Sequence, residues 1–349
     1  MNTRLAAIDS ARGLAIFGIL LVNIQSFGQL DEYRYDRFAE PGTLSQGVWW
    51  LNMLLADGKF ISLLSVLFGM GLVWLAKAGL NYQYRRLRWL ALFGAVHGVL
   101  IWDGDILLLY ALTAMVVLPF ARRGTPTARL IWAAVLVVLA GLVYVGLLAL
   151  SPADAPVDTG PLQLYNQGSY LAQVQYRLQS FGYTVASWPL FILPMVGGLM
   201  LAGTALAQRP DWQSSLVRRW PAWLLAGLLP SLLVLLASPR FGHGWLLLFA
   251  PLQAMGYLGL VLRFGQRWRA LQAAGKMALS HYLLQSLVMT AFFYGLGFYG
   301  QWSRGALLLL ALGYSAVALY LSPFLLRRLG QGPLERLWRR LAVRPVTPG

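Results

Sequence analysis

The chain has 349 residues, 58% of them hydrophobic and only 11% charged, with a mean hydropathy of +0.60. A soluble domain carries about 25% charged residues. No single core hides this much apolar surface, so a soluble enzyme, a disordered chain and a secreted chain are excluded and a polytopic helical membrane protein remains. The net charge of +16 then reads as a topology signal rather than a nucleic-acid footprint. The absence of cysteine removes disulfides, thiolate metal ligands and a cysteine nucleophile.

In chain order the apolar runs predict ten spans: Leu14–Phe27, Phe60–Ala76, Trp89–Trp102, Ile106–Phe120, Leu130–Leu150, Ala186–Ala207, Ala222–Ala237, Trp245–Leu262, Met277–Phe298 and Ala306–Leu326. The expected fold is an all-α transmembrane bundle over residues 1–349, a single integral-membrane domain. Asp9 and Arg12 are wrong for the core of a signal peptide, so the first run reads as a retained helix. Leu44–Ala56, ahead of Asp57-Gly58-Lys59, reads either as an interfacial helix or as the outer part of a bent second span. Most Lys and Arg fall on alternate connections, which puts both termini in the cytoplasm. Lys59 is placed at a span end, and 327–349 is a basic cytoplasmic tail. Segments 28–43 and 151–185 are outer loops. Their acids (Asp31, Glu32, Asp36, Glu40, Asp154 and Asp158) and aromatics suit a polar, cationic or sugar-like partner, or simply a solvated connector.

Ionisable groups inside a bilayer are costly and therefore candidates for function. On the first helix, Asp9 and Arg12 are three apart and can pair. Asn23 lies about three turns beyond Arg12 on roughly the same face. Next come His97, Trp102, Asp103, Gly104 and Asp105, at the tip of two short spans. His97 suits a general base. Asp103 or Asp105 would hold its tautomer or activate an acceptor. Gly94 and Gly98 allow another helix to come close. Gln253 and Tyr257 are i,i+4 neighbours, as are His281 and Gln285, and these four with Trp102 are candidate substrate contacts. Lys276 near the inner mouth is a candidate phosphate ligand, or a snorkelling lysine. His243 reads as a solvated residue beside a short outer loop. Three dispersed histidines without cysteine give no expectation of a metal site, and no phosphate-binding or dinucleotide fingerprint is present.

Asp9-x-x-Arg12-Gly13 with Gly18–Asn23, Leu67-Phe68-Gly69-Met70-Gly71, His97-Gly98 with Trp102–Leu107, Gly275–Leu279 and Gly332-Pro333-Leu334-Glu335 resemble the YeiB family. These are bacterial inner-membrane proteins of the cell envelope, defined by a domain of unknown function. The family looks like part of a wider group of transmembrane acyltransferases, one of which, a lysosomal enzyme, acetylates heparan glucosamine from cytosolic acetyl-CoA. The resemblance implies a multi-pass protein of the bacterial inner membrane. It also implies transfer of an acyl group from cytosolic acyl-CoA to a small-molecule or glycan acceptor at the periplasmic face. Asp9, Arg12 and Lys276 would then bind the donor. His97, Asp103, Asp105 and Asn23 would carry the chemistry, and Asn23 or Gln285 would stabilise the oxyanion. The lysosomal enzyme has a catalytic histidine soon after its first helix. Gln29–Thr43 has none, so the resemblance implies a base from elsewhere in the chain, and His97 is the candidate. His281 stands where the family usually has asparagine. A proton-coupled transporter using the same buried His/Asp cluster is the rival expectation. The expected partners are membrane lipids, the acceptor and a second copy in a homodimer, with no nucleic acid.

Overall fold

A computed structural model describes residues 3–30, 43–152 and 158–343. Asp31, Glu32, Asp36 and Glu40 of the first predicted outer loop, together with Asp154 and Arg344, lie outside the described residues. The described residues are helical throughout and contain no strand. That is what a chain of apolar runs must do in lipid, because each backbone group has to find its partner within its own segment.

The first helix, α1 (Thr3–Gly28), is the axis of the bundle. It touches α3 (Lys59–Trp74), α11 (Pro239–Phe264), α12 (Arg269–Lys276), α13 (Ala278–Thr290) and α14 (Arg304–Leu329). Of its apolar stretch 67% is buried, against 17% for the peripheral α10 (Trp212–Ala237), which leans on α11 alone along most of its length. Outside the axis, α4 (Leu80–Leu100) and α5 (Leu107–Phe120) form a hairpin, and α6 (Pro126–Leu150) packs against α9 (Ile192–Ala207).

Among the described residues six helices are long and apolar enough to cross a membrane, or seven when the bent pair of α8 (Tyr170–Ser187) and α9 counts as one span. The chain is thus a membrane protein, but the expected count of ten is not reached by helices that qualify by themselves. The shortfall has physical causes. Helix α4 carries Arg85, Arg86 and Arg88 in its first half. Helix α5 has 14 residues, about 21 Å of rise. The predicted span from Met277 to Phe298 is α13 of 13 residues, followed by a π-turn at Ala291–Gly295. Just before that turn the Thr290 hydroxyl donates back to the carbonyls of Ser286 and Leu287, a competitor to the helical ladder.

Of the two readings of Leu44–Ala56, the structure follows the one that makes it the outer part of a bent second span. Helix α2 (Thr43–Leu55) continues into α3 as one span, Leu44–Trp74, broken at Ala56–Gly58. Gly58 adopts φ 74°, open to glycine at little cost, and lets the chain re-enter a helix after the break. Lys59 is therefore not at a span end. It is wholly buried inside this span, and its ammonium donates to the Met53 carbonyl near the end of α2.

Two segments expected to be peripheral are built into the fold. Residues 160–187 form α7 (Gly160–Gln167) and α8, and α8 is clamped to the tip of α4. Arg177, 1% exposed, donates to the carbonyls of Val99 and Leu100 at the C-terminal end of α4, where cations are favoured. Residues 333–342 of the basic tail form α15 (Pro333–Ala342), which docks on α4 and α13. The Glu335 carboxylate accepts from the backbone N–H groups of Leu279 (2.6 Å) and Ser280 (3.2 Å), capping the start of α13. The Trp338 indole donates to the Arg86 carbonyl at 2.7 Å and lies under the Arg86 guanidinium.

Candidate functional site

Two cavities enter the bundle from opposite ends and share one wall residue, Ile106. The first opens at the basic end and has a volume of about 540 Å³. Arg12, Arg86, Lys276 and Arg339 line its mouth with Asp9 and Glu335. Its deeper wall is apolar, from Leu64, Leu67, Leu87 and Leu90, and it ends at Ile106, Tyr110 and Tyr282. The second opens at the far end and has a volume of about 450 Å³. Asn23, Ser26, Asp57, Asp103, Tyr165 and Tyr176 are among its polar lining. Along α1 the linings run from Asp9 to Ile16 and from Ile19 to Ser26. The seventeen helical steps from Asp9 to Ser26 rise about 26 Å, close to the hydrocarbon thickness of a bilayer.

The mouth of the basic cavity is set by a backbone contact. A Cβ on Gly275 would stand 1.8 Å from the Asp9 carbonyl oxygen, and one on Gly13 would stand 2.3 Å from that of Leu271. Only glycine at both positions lets α12 lie directly on α1, which puts Lys276 beside the Asp9–Arg12 pair. That pair forms as expected, with the guanidinium 3.2 Å from the carboxylate.

Between the cavities lies a buried His–Asp pair. The hairpin of α4 and α5 closes tightly because Gly94 faces the backbone of α5. A Cβ there would stand 2.1 Å from Leu108 N and 2.7 Å from an Asp105 oxygen. Asp105 Oδ1 accepts from Leu108 N at 2.9 Å, at the start of α5, and Oδ2 lies 2.8 Å from His97 Nδ1. Asp105 thereby fixes the tautomer with the proton on Nδ1 and the lone pair on Nε2. That Nε2 is buried and has no hydrogen-bond partner among the described residues. The imidazole is 1% exposed and lines neither cavity. Its neighbours are the rings of Trp102 and Tyr282, the latter with its centroid 5.4 Å away. The Tyr282 hydroxyl accepts from the N–H of Ile106, the shared wall residue, at 3.2 Å.

The two tip carboxylates have separated environments. Asp105 is buried against His97, whereas Asp103 is half-buried and faces the far cavity. Burial raises the Asp103 carboxyl above the ordinary carboxylate range, and a hydrogen bond from Ser180 and the charge of Arg177 act against that rise. Trp102 is buried on Phe27 and also lines the far cavity.

The remaining predicted residues are dispersed. Gln253 donates to the Leu54 carbonyl and to the Tyr257 hydroxyl, and Tyr257 donates to the Leu55 carbonyl. The two therefore satisfy the C-terminal carbonyls of α2 at its break, and neither faces the basic or the far cavity. His281 is buried against Phe17, its Nε2 2.9 Å from the Ser322 hydroxyl. Gln285 is fully buried, and its amide has no partner among the described residues. Both stand apart from the two cavities.

A second His–Asp pair escaped the sequence reading. His243, expected to be solvated, is 5% exposed, with its Nε2 2.7 Å from Asp57 Oδ2. Its Nδ1 faces the Tyr144 hydroxyl at 3.2 Å. Asp57 lines the far cavity, so a chain of polar groups runs from α6 through α11 to the cavity wall. The signal in the sequence was the charged triplet Asp57-Gly58-Lys59 inside an apolar stretch, which is expensive unless each charge finds a partner. Among the described residues no group of three or more His, Cys, Asp and Glu is placed to hold a metal ion.

Residues 201–345 match the family described as a protein of unknown function (DUF418). The chain is 31% identical to the uncharacterized protein YeiB of Escherichia coli (strain K12), over 99% of this chain and 98% of YeiB. It is 30% identical to the uncharacterized protein YxaH of Bacillus subtilis (strain 168), over 97% of this chain and 94% of YxaH. No solved structure matches.

Proposed function

The chain belongs to the DUF418 family, and within it we propose a transmembrane acyltransferase of the bacterial inner membrane. It moves an acyl group from cytosolic acyl-CoA to a hydroxyl or amine acceptor at the periplasmic face. The observation that carries this reading is the convergence of two oppositely opening cavities on Ile106, one with a cationic mouth and one with an acidic, aromatic lining. In this reading the chain crosses the membrane ten times, with α4–α5 and α13 as short crossings and both termini cytoplasmic. The basic end is then the cytoplasmic end.

Arg12, Arg86, Lys276 and Arg339 suit the phosphates of a CoA donor, and the apolar wall beyond them suits its acyl arm. The acceptor enters the far cavity beside Asp103 and Asn23. As its oxygen or nitrogen bonds to the thioester carbonyl carbon, its proton passes to Nε2 of His97, and Asp105 stabilises the imidazolium. Asn23 suits the role of amide donor to the oxyanion. The C–S bond breaks, and the CoA thiolate takes the proton back from His97. His97 lies behind Tyr282 and Ile106, so this step requires their side chains to move aside.

A second reading has one observation in its favour. A His–Asp pair sealed between two cavities and lining neither suits the proton relay of a coupled transporter.

Thermal unfolding of the purified protein separates the two. Acetyl-CoA at about 100 times its Kd stabilises a specific binder by about 2.7 kcal/mol, a rise of a few degrees in the melting temperature. The double variant Arg12→Ala with Lys276→Ala loses most of that rise. No shift at saturating acetyl-CoA, with uptake abolished in His97→Ala, establishes the transporter instead.

A further inference from the structure

A third cavity, about 610 Å³ in volume, opens sideways between α1, α2, α11 and α14. Its lining is almost wholly apolar and includes Leu14, Leu51, Leu55, Leu260 and Leu308. Leu51 is 55% exposed and Leu55 44%, so this wall faces the lipid. On α1 it extends from Leu14 to Gln25, about 16 Å along the bilayer normal. It shares Ala56 and Phe60 with the far cavity and no described residue with the basic cavity. The shared wall is thin. The Phe60 ring lies where a Cβ on Gly18 would be, and it stacks on Tyr257 with centroids 5.5 Å apart.

We propose that the far cavity and this lateral cavity are two halves of one binding site for a membrane amphiphile. The polar head sits beside Asp103 and Asn23, and the hydrocarbon tail lies in the lateral groove. The proposal deepens the acyl-transfer reading, on which it rests for calling that head the acceptor. Three features carry it. The polar and apolar halves adjoin at Ala56 and Phe60, at the break of the second span. The groove opens to lipid, so the ligand need not leave the membrane to enter. The groove also lacks any wall shared with the basic cavity, which assigns the tail to the acceptor and not to the donor.

Charge selects the head. The far cavity is lined by two carboxylates, Asp57 and Asp103, and by no lysine or arginine among the described residues. A phosphate head would meet like charge in a poorly solvated space. The head is therefore neutral or cationic, a sugar hydroxyl or an aliphatic amine, and the aromatic walls suit a sugar face or an ammonium.

The test uses the full chain in phosphatidylcholine nanodiscs without donor. The probe is dodecyl β-glucoside carrying a diazirine on its tail, with the corresponding dodecyl phosphate as comparator. After photolysis, labelled residues are mapped by peptide mass spectrometry. Saturable labelling of Leu51–Leu55 is expected, with competition by unlabelled dodecyl glucoside and half-saturation about tenfold weaker for the phosphate, equivalent to about 1.4 kcal/mol. Leu308→Trp and Ala56→Trp should each cut that labelling while sparing the outward leucines Leu229 and Leu233 of α10. Competition on the unsubstituted chain needs no variant to fold. Labelling of Leu51–Leu55 that rises linearly with probe, matches that of Leu233 and resists competition marks ordinary lipid contact and overturns the proposal. The acyl-transfer reading is judged separately by the acetyl-CoA shift. A positive shift with linear labelling leaves a transferase with a water-soluble acceptor. Saturable labelling without a shift leaves an amphiphile site that is not a transferase.

Discussion

The two buried His–Asp pairs have nearly the same geometry, 2.8 Å for His97–Asp105 and 2.7 Å for His243–Asp57, yet they are built in opposite ways. The first joins residues eight apart across one hairpin and is closed off from both cavities. The second joins residues 186 apart, from the broken second span to α11, and places its carboxylate on the wall of the far cavity. In the first pair the histidine is the group left with an unused nitrogen, and the aspartate is fully engaged by Leu108 and His97. In the second the histidine is engaged at both nitrogens, by Asp57 and Tyr144. The difference assigns roles. An imidazole with a lone pair in reserve can take a proton. One held at both ends positions the carboxylate in front of it.

The most severe way to break this comparison is to open the hairpin that makes the first pair. Gly94→Val places methyl groups on the backbone of Leu108 and on the Asp105 carboxylate, and overpacking against backbone costs above about 3 kcal/mol. The variant should give little monodisperse protein. Gly146→Val, at a position with open space around it, should behave like the parent in the same size-exclusion assay.

Removing the side chains themselves sharpens the assignment. His97→Ala should lower the acyl-transfer rate by about 10²–10⁴-fold. His97→Ala combined with Asp105→Asn should be no worse than either alone, because the two act as a unit. His243→Gln keeps a donor toward Asp57 and should cost about tenfold or less, with most of the loss in KM for the acceptor. The readout is single-turnover transfer from radiolabelled acetyl-CoA, normalised to folded protein. Equal losses in kcat for His97→Ala and His243→Gln would erase the distinction drawn here.

These two pairs also mark what could be read in the sequence. Asp9 with Arg12, and Gly94 and His97 with a carboxylate at the hairpin tip, are local features, visible from helix spacing or from a turn between short spans. They held in the structure. The contact of Asp57 with His243 has no local trace, because it depends on how α11 packs against the broken span. The same holds for the cap that Glu335 places on α13 and for the clamp of Arg177 on α4. Hydropathy counted ten apolar runs but could not tell a full crossing from a short helix. The charges of α4 and the break between α12 and α13 divide the polar groups between a mouth and an interior in a way that periodicity cannot express. The candidate site was legible as a list of residues. Which of them face which cavity was not, since the walls come from helices distant in the sequence.

The smallest expected effect concerns the carboxylate that faces the acceptor side. Burial raises the Asp103 carboxyl in the folded protein above its unfolded value near 3.8. The folded state therefore holds its proton more tightly than the unfolded state does. Stability tied to this group is fully present at low pH and is lost as pH rises through the raised folded value. At pH 8 the charged side chain is a net cost, so Asp103→Asn, which keeps an acceptor for Ser180, should melt slightly higher than the parent. A gain of about 0.5 kcal/mol corresponds to somewhat less than about 1 °C in a chain of this size. At lower pH the gap should narrow, because the folded parent then holds the proton on a larger share of its Asp103 carboxyls. The Arg177 guanidinium supplies the opposing influence. If its charge outweighs burial, the order reverses: Asp103→Asn melts lower than the parent at pH 8, and Asp103 is then a carboxylate held ionised by the clamp on α4 rather than one kept partly neutral at the cavity wall.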